Sequence, residues 1–303
     1  MLRTAARDDP SRAARVWQRG ERPRAGPARR PPATTAEPPT KRGTAAGTGI
    51  PPTSSRRPMS TLTGLLSTLG GGGDATRPRL VHYDPQGRIE LSGRVLVNWV
   101  AKAANLLTEE FDAGPGTVVG LRLPPGHWRA AYWALATWSC GATLRCLPAD
   151  AADAGETADE TDTDGLDVLV TDTPPAGAGA AVDVVAVTTA ALARRFPGDL
   201  PRGAFDEAAV LATYADVFAA LDEPAGTDPA IEGGATYAEL VPAASDEDAP
   251  RPLLAGPASQ QAFLTAALAT WAADGAIIVV TGDGSDGAAL ERIAEQEGAS
   301  ARA

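Results

Sequence analysis

Four residues carry all the imidazole and thiol chemistry of the chain: His82, His127, Cys140 and Cys146. Zinc takes clustered ligands at short, characteristic spacings; no pair here has such a spacing, and no HExxH run occurs. Both cysteines fall in apolar surroundings, at a helix end and on a strand, and are expected to pack in the core. Two thiols without a secretion signal fit a reduced, cytoplasmic protein. Lysine is scarcer still, with Lys41 and Lys102 the only two. No GxxxxGK[ST] run exists, so no lysine ends a glycine loop where β- and γ-phosphates would lie. No GxSxG elbow presents a serine nucleophile, and His127 and Ser139 are neighbours only in sequence. These residues assign no catalytic group, no metal and no cofactor, and leave any cofactor-binding position open.

Two glycine-bearing runs imitate binding loops. Glu160-Thr161-Asp162-Thr163-Asp164-Gly165 begins like a calcium loop. It starts on Glu, however, and has Thr171 where the bidentate Glu belongs. Gly282-Asp283-Gly284-Ser285-Asp286-Gly287 matches GxGxxG between an expected strand and an expected helix. Asp283 and Asp286 would place negative charge beside a pyrophosphate, and no second strand with a ribose-binding acid follows. A glycine-rich strand–helix turn is the simpler reading.

The elements that would position any site follow from periodicity. Residues 60–69 read as a short apolar helix, followed by a Gly70–Gly73 hinge. Val81–Tyr83, an Asp84-Pro85-Gln86-Gly87 turn and Arg88–Leu91 read as a hairpin. Ser92 is a suitable N-cap for a helix reaching Phe111, with Leu96, Val100, Ala103 and Leu107 on its apolar face. Its other stripe, Arg94, Asn98, Lys102, Asn105 and Glu109, is expected to face solvent. Strand 117–121, a tryptophan-rich helix His127–Cys140 and strand 143–147 give the order of a parallel sheet with crossover helices. Leu166–Thr171 and Val182–Val187 add two strands beyond an acidic loop over 149–165. The stretch 194–252 is rich in proline and glycine and carries a helical patch over Glu207–Leu221. Strand 253–255, helix 259–273, strand 276–280 and helix 288–296 then close the pattern.

Charge divides the 303 residues in two. Residues 1–58 hold 13 basic and 4 acidic residues, and the rest hold 14 and 34. The first segment also has ten of the 26 prolines and almost no large apolar side chains, so it cannot bury enough surface to order itself. It reads as a disordered basic tail, and the only methionine after Met1, Met59, stands where composition changes and is the expected natural start. Salt-sensitive nucleic-acid binding through the tail is a third-rank functional reading, since no binding module accompanies the arginines. The organisation is therefore a tail over 1–58, a short helix and glycine linker over 59–79, and an α/β domain over 80–297. No apolar run is long enough to span a membrane.

Within that domain several runs carry a resemblance. They are Leu91-Ser92-Gly93-Arg94, Asn98-Trp99-Val100-Ala101-Lys102, Ala104-Asn105-Leu106-Leu107, Gly114–Val119, Leu123-Pro124, His127-Trp128 and Cys140-Gly141-Ala142. Together they resemble the N-terminal subdomain of AMP-binding, adenylate-forming enzymes such as acyl-CoA synthetases. In detail they look more like a small actinobacterial family of uncharacterised proteins distantly similar to those enzymes. The likeness is good over 80–148 and weaker over 250–297. It implies a truncated adenylate-forming N-terminal fold, an α/β domain with a mostly parallel sheet. The family's Ser/Thr/Gly-rich loop ending in Pro-Lys has no counterpart, for 228–236 reads Asp-Pro-Ala-Ile-Glu-Gly-Gly-Ala-Thr. The expectation is a pseudoenzyme that binds or assembles with an unknown protein or small molecule. The alternative is a reduced acyl- or nucleotide-binding ligase-type protein completed by a partner.

Overall fold

Val118–Arg122, Val168–Thr171, Asp183–Ala186 and Ile277–Val280 are apolar on both faces, the pattern of strands covered on each side by helices. In the computed structural model they form the centres of two five-stranded sheets. The structure describes residues 61–71, 74–149, 163–175, 182–243, 249–282 and 287–302, all within the unit Ser54–Ala303. The tail, Met59, the first three residues of the calcium-like run (160–162) and the centre of the GxGxxG run (283–286) lie outside the described residues.

The first sheet has the order β10-β8-β9-β1-β2. Its strands are β1 (Pro78–Asp84), β2 (Gly87–Ser92), β8 (Pro252–Ala255), β9 (Ile277–Val280) and β10 (Ala301–Arg302). Only the β1–β2 hairpin is antiparallel. The second sheet, β4-β3-β5-β6-β7, is wholly parallel. It comprises β3 (Val118–Arg122), β4 (Thr143–Cys146), β5 (Val168–Thr171), β6 (Asp183–Ala186) and β7 (Phe205–Asp206). Helices α1 (Leu62–Gly70), α2 (Gly93–Phe111), α3 (Trp128–Ser139), α4 (Glu207–Val210), α5 (Gln260–Ala272) and α6 (Gly287–Glu297) complete the fold. Among the described residues no helix is long and apolar enough to cross a membrane.

Helix α3 is the hub. Every residue from Trp128 to Trp138 is buried, and the helix touches β1 of one sheet, β3 and β4 of the other, and helices α2 and α5. Ser92 caps α2 as its sequence position implies, its hydroxyl accepting from the Val95 N–H at 3.3 Å. The next residue must be small: a Cβ on Gly93 would lie 2.0 Å from the Leu69 carbonyl oxygen, where α1 crosses.

Two expectations change. The polar stripe of α2 is not simply a solvated face. Lys102 Nζ donates to the carbonyls of Ala212 (3.3 Å) and Tyr214. Asn105 Nδ2 donates to those of Ala215 (2.9 Å) and Val217 (3.0 Å). These contacts explain the second correction. The helical patch over 207–221 stops at Val210, continues as one 3-10 turn over Leu211–Thr213, and then runs as an irregular strap. Carbonyls bonded outward to α2 are not available to close further helical turns. Residues 228–241, in turn, fill space beside the second sheet. The Leu144 N–H donates to Ala230 (2.9 Å) and the Glu232 N–H to Leu144 (2.9 Å), a parallel bridge on the β4 edge. Ala230, Ile231, Leu240 and Val241 are buried in the core.

Replacing Lys102 with Met removes a charged donor from the strap while keeping its stem. The Lys102→Met variant is expected to lose about 1–2 kcal/mol of stability and to be cut faster by proteases within 211–221. Denaturant midpoints and limited proteolysis check this; an unchanged cleavage pattern would show that the strap is held by other contacts.

Candidate functional site

The sequence places a cation where a buried helix cannot leave it alone. Arg129 follows Trp128 in the first turn of α3 and is only 5% exposed. Its charge is met by Glu207, 1% exposed, on α4: Arg129 Nη1 lies 3.0 and 3.1 Å from the two carboxylate oxygens. Tyr132, one turn further along α3, donates its hydroxyl to the same carboxylate. Burial raises the Glu207 carboxyl, and Arg129 and Tyr132 pull it back. Burial also lifts the Tyr132 hydroxyl well above its usual range, so it remains a donor. The guanidinium lies 4.4 Å over the Trp128 ring, and Tyr132 stacks on Trp99 of α2 at 5.9 Å.

Beside this cluster is a cavity of about 100 Å3. Its lining includes Trp99, Trp128, Ala191, Ala208, Leu211 and Ala212. The 3-10 turn whose Ala212 carbonyl accepts from Lys102 thus contributes to its lining.

The two histidines, 45 positions apart in sequence, meet at the neighbouring end of α3. Their ring centroids are 5.3 Å apart, edge to face, and both are buried. His127 is the N-cap of α3: its Nδ1 accepts from the Arg129 N–H at 3.3 Å while Nε2 donates to the Thr189 carbonyl at 3.2 Å. His82 Nε2 pairs with Thr281 Oγ1 at 3.0 Å, and Nδ1 lies 3.8 Å from Asp84 Oδ2, beyond hydrogen-bond reach. Burial pushes His127 down to about 3, with His82 acting in the same direction. Burial also lowers His82, against the pull of Asp84. Both rings are neutral at pH 7.

The remaining candidates are not brought together. Among the described residues no group of three His, Cys, Asp or Glu side chains converges as a metal site would require. Cys140 is buried and Cys146 partly so, and burial holds both thiols near 11, far from a reactive thiolate. Ser139 donates to the Leu135 carbonyl at 2.7 Å, at the opposite end of α3 from His127. Sequence reasoning missed the Arg129–Glu207 pair and the His82–His127 contact. An arginine inside an otherwise apolar helix was the available signal, since such a cation must find a carboxylate.

No protein-family model matches the chain. A Mycobacterium tuberculosis protein named TIGR03089 family protein is 40% identical over 97 residues, covering 31% of this chain and 40% of that protein. Among solved structures, Brucella canis acyl-CoA synthetase matches with a TM-score of 0.58 at 19% identity, over 80% of this chain and 46% of that one. Acetoacetyl-CoA synthetase from Streptomyces lividans matches with 0.59 at 18%, over 80% and 41%. The N-terminal subdomain of Klebsiella oxytoca NpsA matches with 0.53 at 15%, over 81% and 60%. The chain therefore has the α/β fold of the N-terminal domains of adenylate-forming enzymes, and it spans less than two thirds of each of these relatives.

Removing one partner of a buried ion pair strands the other. Glu207→Gln is expected to cost about 3–5 kcal/mol, and the double variant Arg129→Met/Glu207→Leu to recover most of that loss in chemical denaturation. The histidines set the acid limb. Their folded pKa values are depressed, so the unfolded chain takes up protons first as pH falls below about 6.5. Their contribution is complete above that pH and declines below it, by up to about 1.4 kcal/mol per histidine per pH unit. The melting temperature should drop between about pH 6.5 and 5, and drop less in His127→Asn, which keeps a capping side chain.

Proposed function

We propose that the chain is a non-catalytic, acyl-CoA synthetase-like protein that acts by binding or assembly and does not adenylate on its own. What carries the reading is residues 228–241, a stretch without lysine in which Ala230, Ile231, Leu240 and Val241 are packed into the core beside β4. In the adenylate-forming enzymes that the chain resembles, the region ahead of the last segment carries a Ser/Thr/Gly-rich phosphate loop ending in Pro-Lys. The cations give further support. Arg79 is engaged by Asp274, Arg88 by Glu297 and Glu90, Arg129 by Glu207, Arg145 by Glu232, and Lys102 by backbone carbonyls. Adenylyl transfer needs cations and N–H donors directed at the phosphates as charge develops there. A body with 34 acidic and 14 basic residues beyond position 58 adds an unfavourable field for ATP.

One observation favours a second reading. The chain matches the fold of the Brucella and Streptomyces synthetases over 80% of its own length, which supports a reduced ligase-type protein whose site a partner completes. Under that reading the protein still binds an acyl group or nucleotide. The partner, a protein or a small molecule, and the cytoplasmic setting belong to the proposal.

ATP–pyrophosphate exchange with a panel of carboxylic acids separates catalysis from its absence. The full chain is expected to give no exchange above a protein-free control, and clear turnover with any acid would overturn the proposal. Thermal stabilisation by ATP or an acyl-CoA would move the balance to the second reading.

A further inference from the structure

Large apolar side chains at the surface are few, and they gather on one face built on α2. Among the described residues they are Val95, Leu192, Val217 and Leu221, with Leu192 93%, Val217 77% and Leu221 86% exposed. Val95 lies one turn before Trp99 on α2. Trp99 shares a cavity lining with Ala191 and Ala193, which flank Leu192, and with Leu211 and Ala212, where the strap begins. From there the strap follows α2, its carbonyls taken first by Lys102 and then by Asn105. Val217, held at Asn105, is therefore about 9 Å farther along the helix than Trp99. Leu221 comes next, before Pro224 packs against Gly141 beyond the C-terminal end of α3.

Charge on this face is divided between its two ends. Near the start of α2 stand Arg94 and, in the loop after Leu192, Arg194 and Arg195. All three are exposed and form no ion pair among the described residues. Asp199, farther along the loop, offsets part of their charge. Toward the other end lie Glu109 and Glu110 of α2 and Asp216, Asp222 and Glu223 of the strap, all exposed. Glu110 also accepts from the Tyr214 hydroxyl at 2.8 Å. Three arginines without carboxylates, in a body with 34 acidic residues beyond position 58, leave positive charge available to an outside anion.

A face with a basic end, an acidic end and apolar side chains at both is complementary to itself. Related by a two-fold axis, a second copy sets its acidic strap against these arginines and offers its own arginines to the first copy's strap, so both contacts form together. A partner of one charge matches one end alone, and so does the basic segment 1–58. We propose that the chain forms a two-fold symmetric dimer through this face, the loop 192–195 of each copy docking on the strap 216–223 of the other. The proposal rests on the reading of the chain as an assembling protein and names its partner as a second copy. The two fail separately, because pyrophosphate exchange reports catalysis and mass in solution reports association. Both copies are negative overall and repel at long range, so attraction comes from the short-range pattern. A screening length of roughly 10 Å at about 0.1 M salt reduces the first more than the second.

The test is sedimentation equilibrium of the full chain at about 0.1 M salt, over roughly 1 to 200 μM protein. A monomer–dimer equilibrium is expected, with a dissociation constant on the order of 10 μM. Arg194→Glu/Arg195→Glu and, separately, Asp222→Arg/Glu223→Arg should each weaken it about tenfold or more. An equimolar mixture of these two variants should pair again, since each presents the charge that the other's altered segment now needs. Leu192→Ser and Leu221→Ser change side chains that folding leaves in water, and should weaken the dimer without moving the thermal midpoint. A monomer throughout, species heavier than two chains, undiminished association of the charge or leucine variants, or no recovery on mixing would each overturn the proposal.

Discussion

Glu207 is buried to 1% exposure, and a carboxylate in that position is tolerable only with a cation and donors held against it. Arg129 and Tyr132 supply them from the first two turns of α3, so the start of α4 must lie over that end of the central helix. The chain on either side follows. Upstream, Phe205–Asp206 joins the second sheet beside β6, Phe205 packs edge-on against Phe111 at 5.1 Å, and Asp206 caps α4. Downstream, Leu211 enters the core and the strap begins. One desolvated charge thus sets the path of a segment whose own residues have little regular structure. Lys102 and Asn105 fix the strap that follows by collecting its carbonyls.

The other cations are used in a similar way. In an acidic body many basic side chains find carboxylates. Several join segments far apart in sequence: Arg77 and Arg79 to Asp274, Arg88 and Arg251 to Glu297, Arg145 to Glu232. The lysine in mid-helix serves backbone oxygens. Positive charge in this molecule ties segments distant in sequence, and the field left over is negative. The sheets and helix α3 depend instead on apolar burial.

How much could be read from the sequence depended on how local the determinants were. Helix α2 was legible because its cap, its apolar stripe and its stop at Gly114-Pro115-Gly116 are contiguous. Strands β3, β5, β6 and β9 were legible as apolar runs between turn residues, and their order implied a parallel sheet. The region 194–252 was not, because its shape is decided by partners about a hundred positions away: Lys102 with Tyr214, Arg129 with Glu207, Leu144 with Ala230. Helical periodicity in 207–221 is present, but the captured carbonyls outweigh it. The His82–His127 contact has no sequence signal of its own, since β1 and the start of α3 converge only through the packed sheets.

The buried pair contributes more to specificity than to stability. Desolvating both charges offsets most of their attraction, and well-packed apolar residues of similar volume would hold α4 at least as firmly. Such residues would hold it in more than one register, because apolar contact is non-directional. A guanidinium facing a carboxylate through two oxygens, with a tyrosine hydroxyl on one of them, admits one arrangement. That arrangement keeps Ala208, Leu211 and Ala212 at the distance from Trp99 and Trp128 that leaves a cavity open. Close packing would otherwise tend to close it, since protein interiors retain few voids without polar or structural support. The same interaction that makes the strap's position definite therefore also keeps this cavity open.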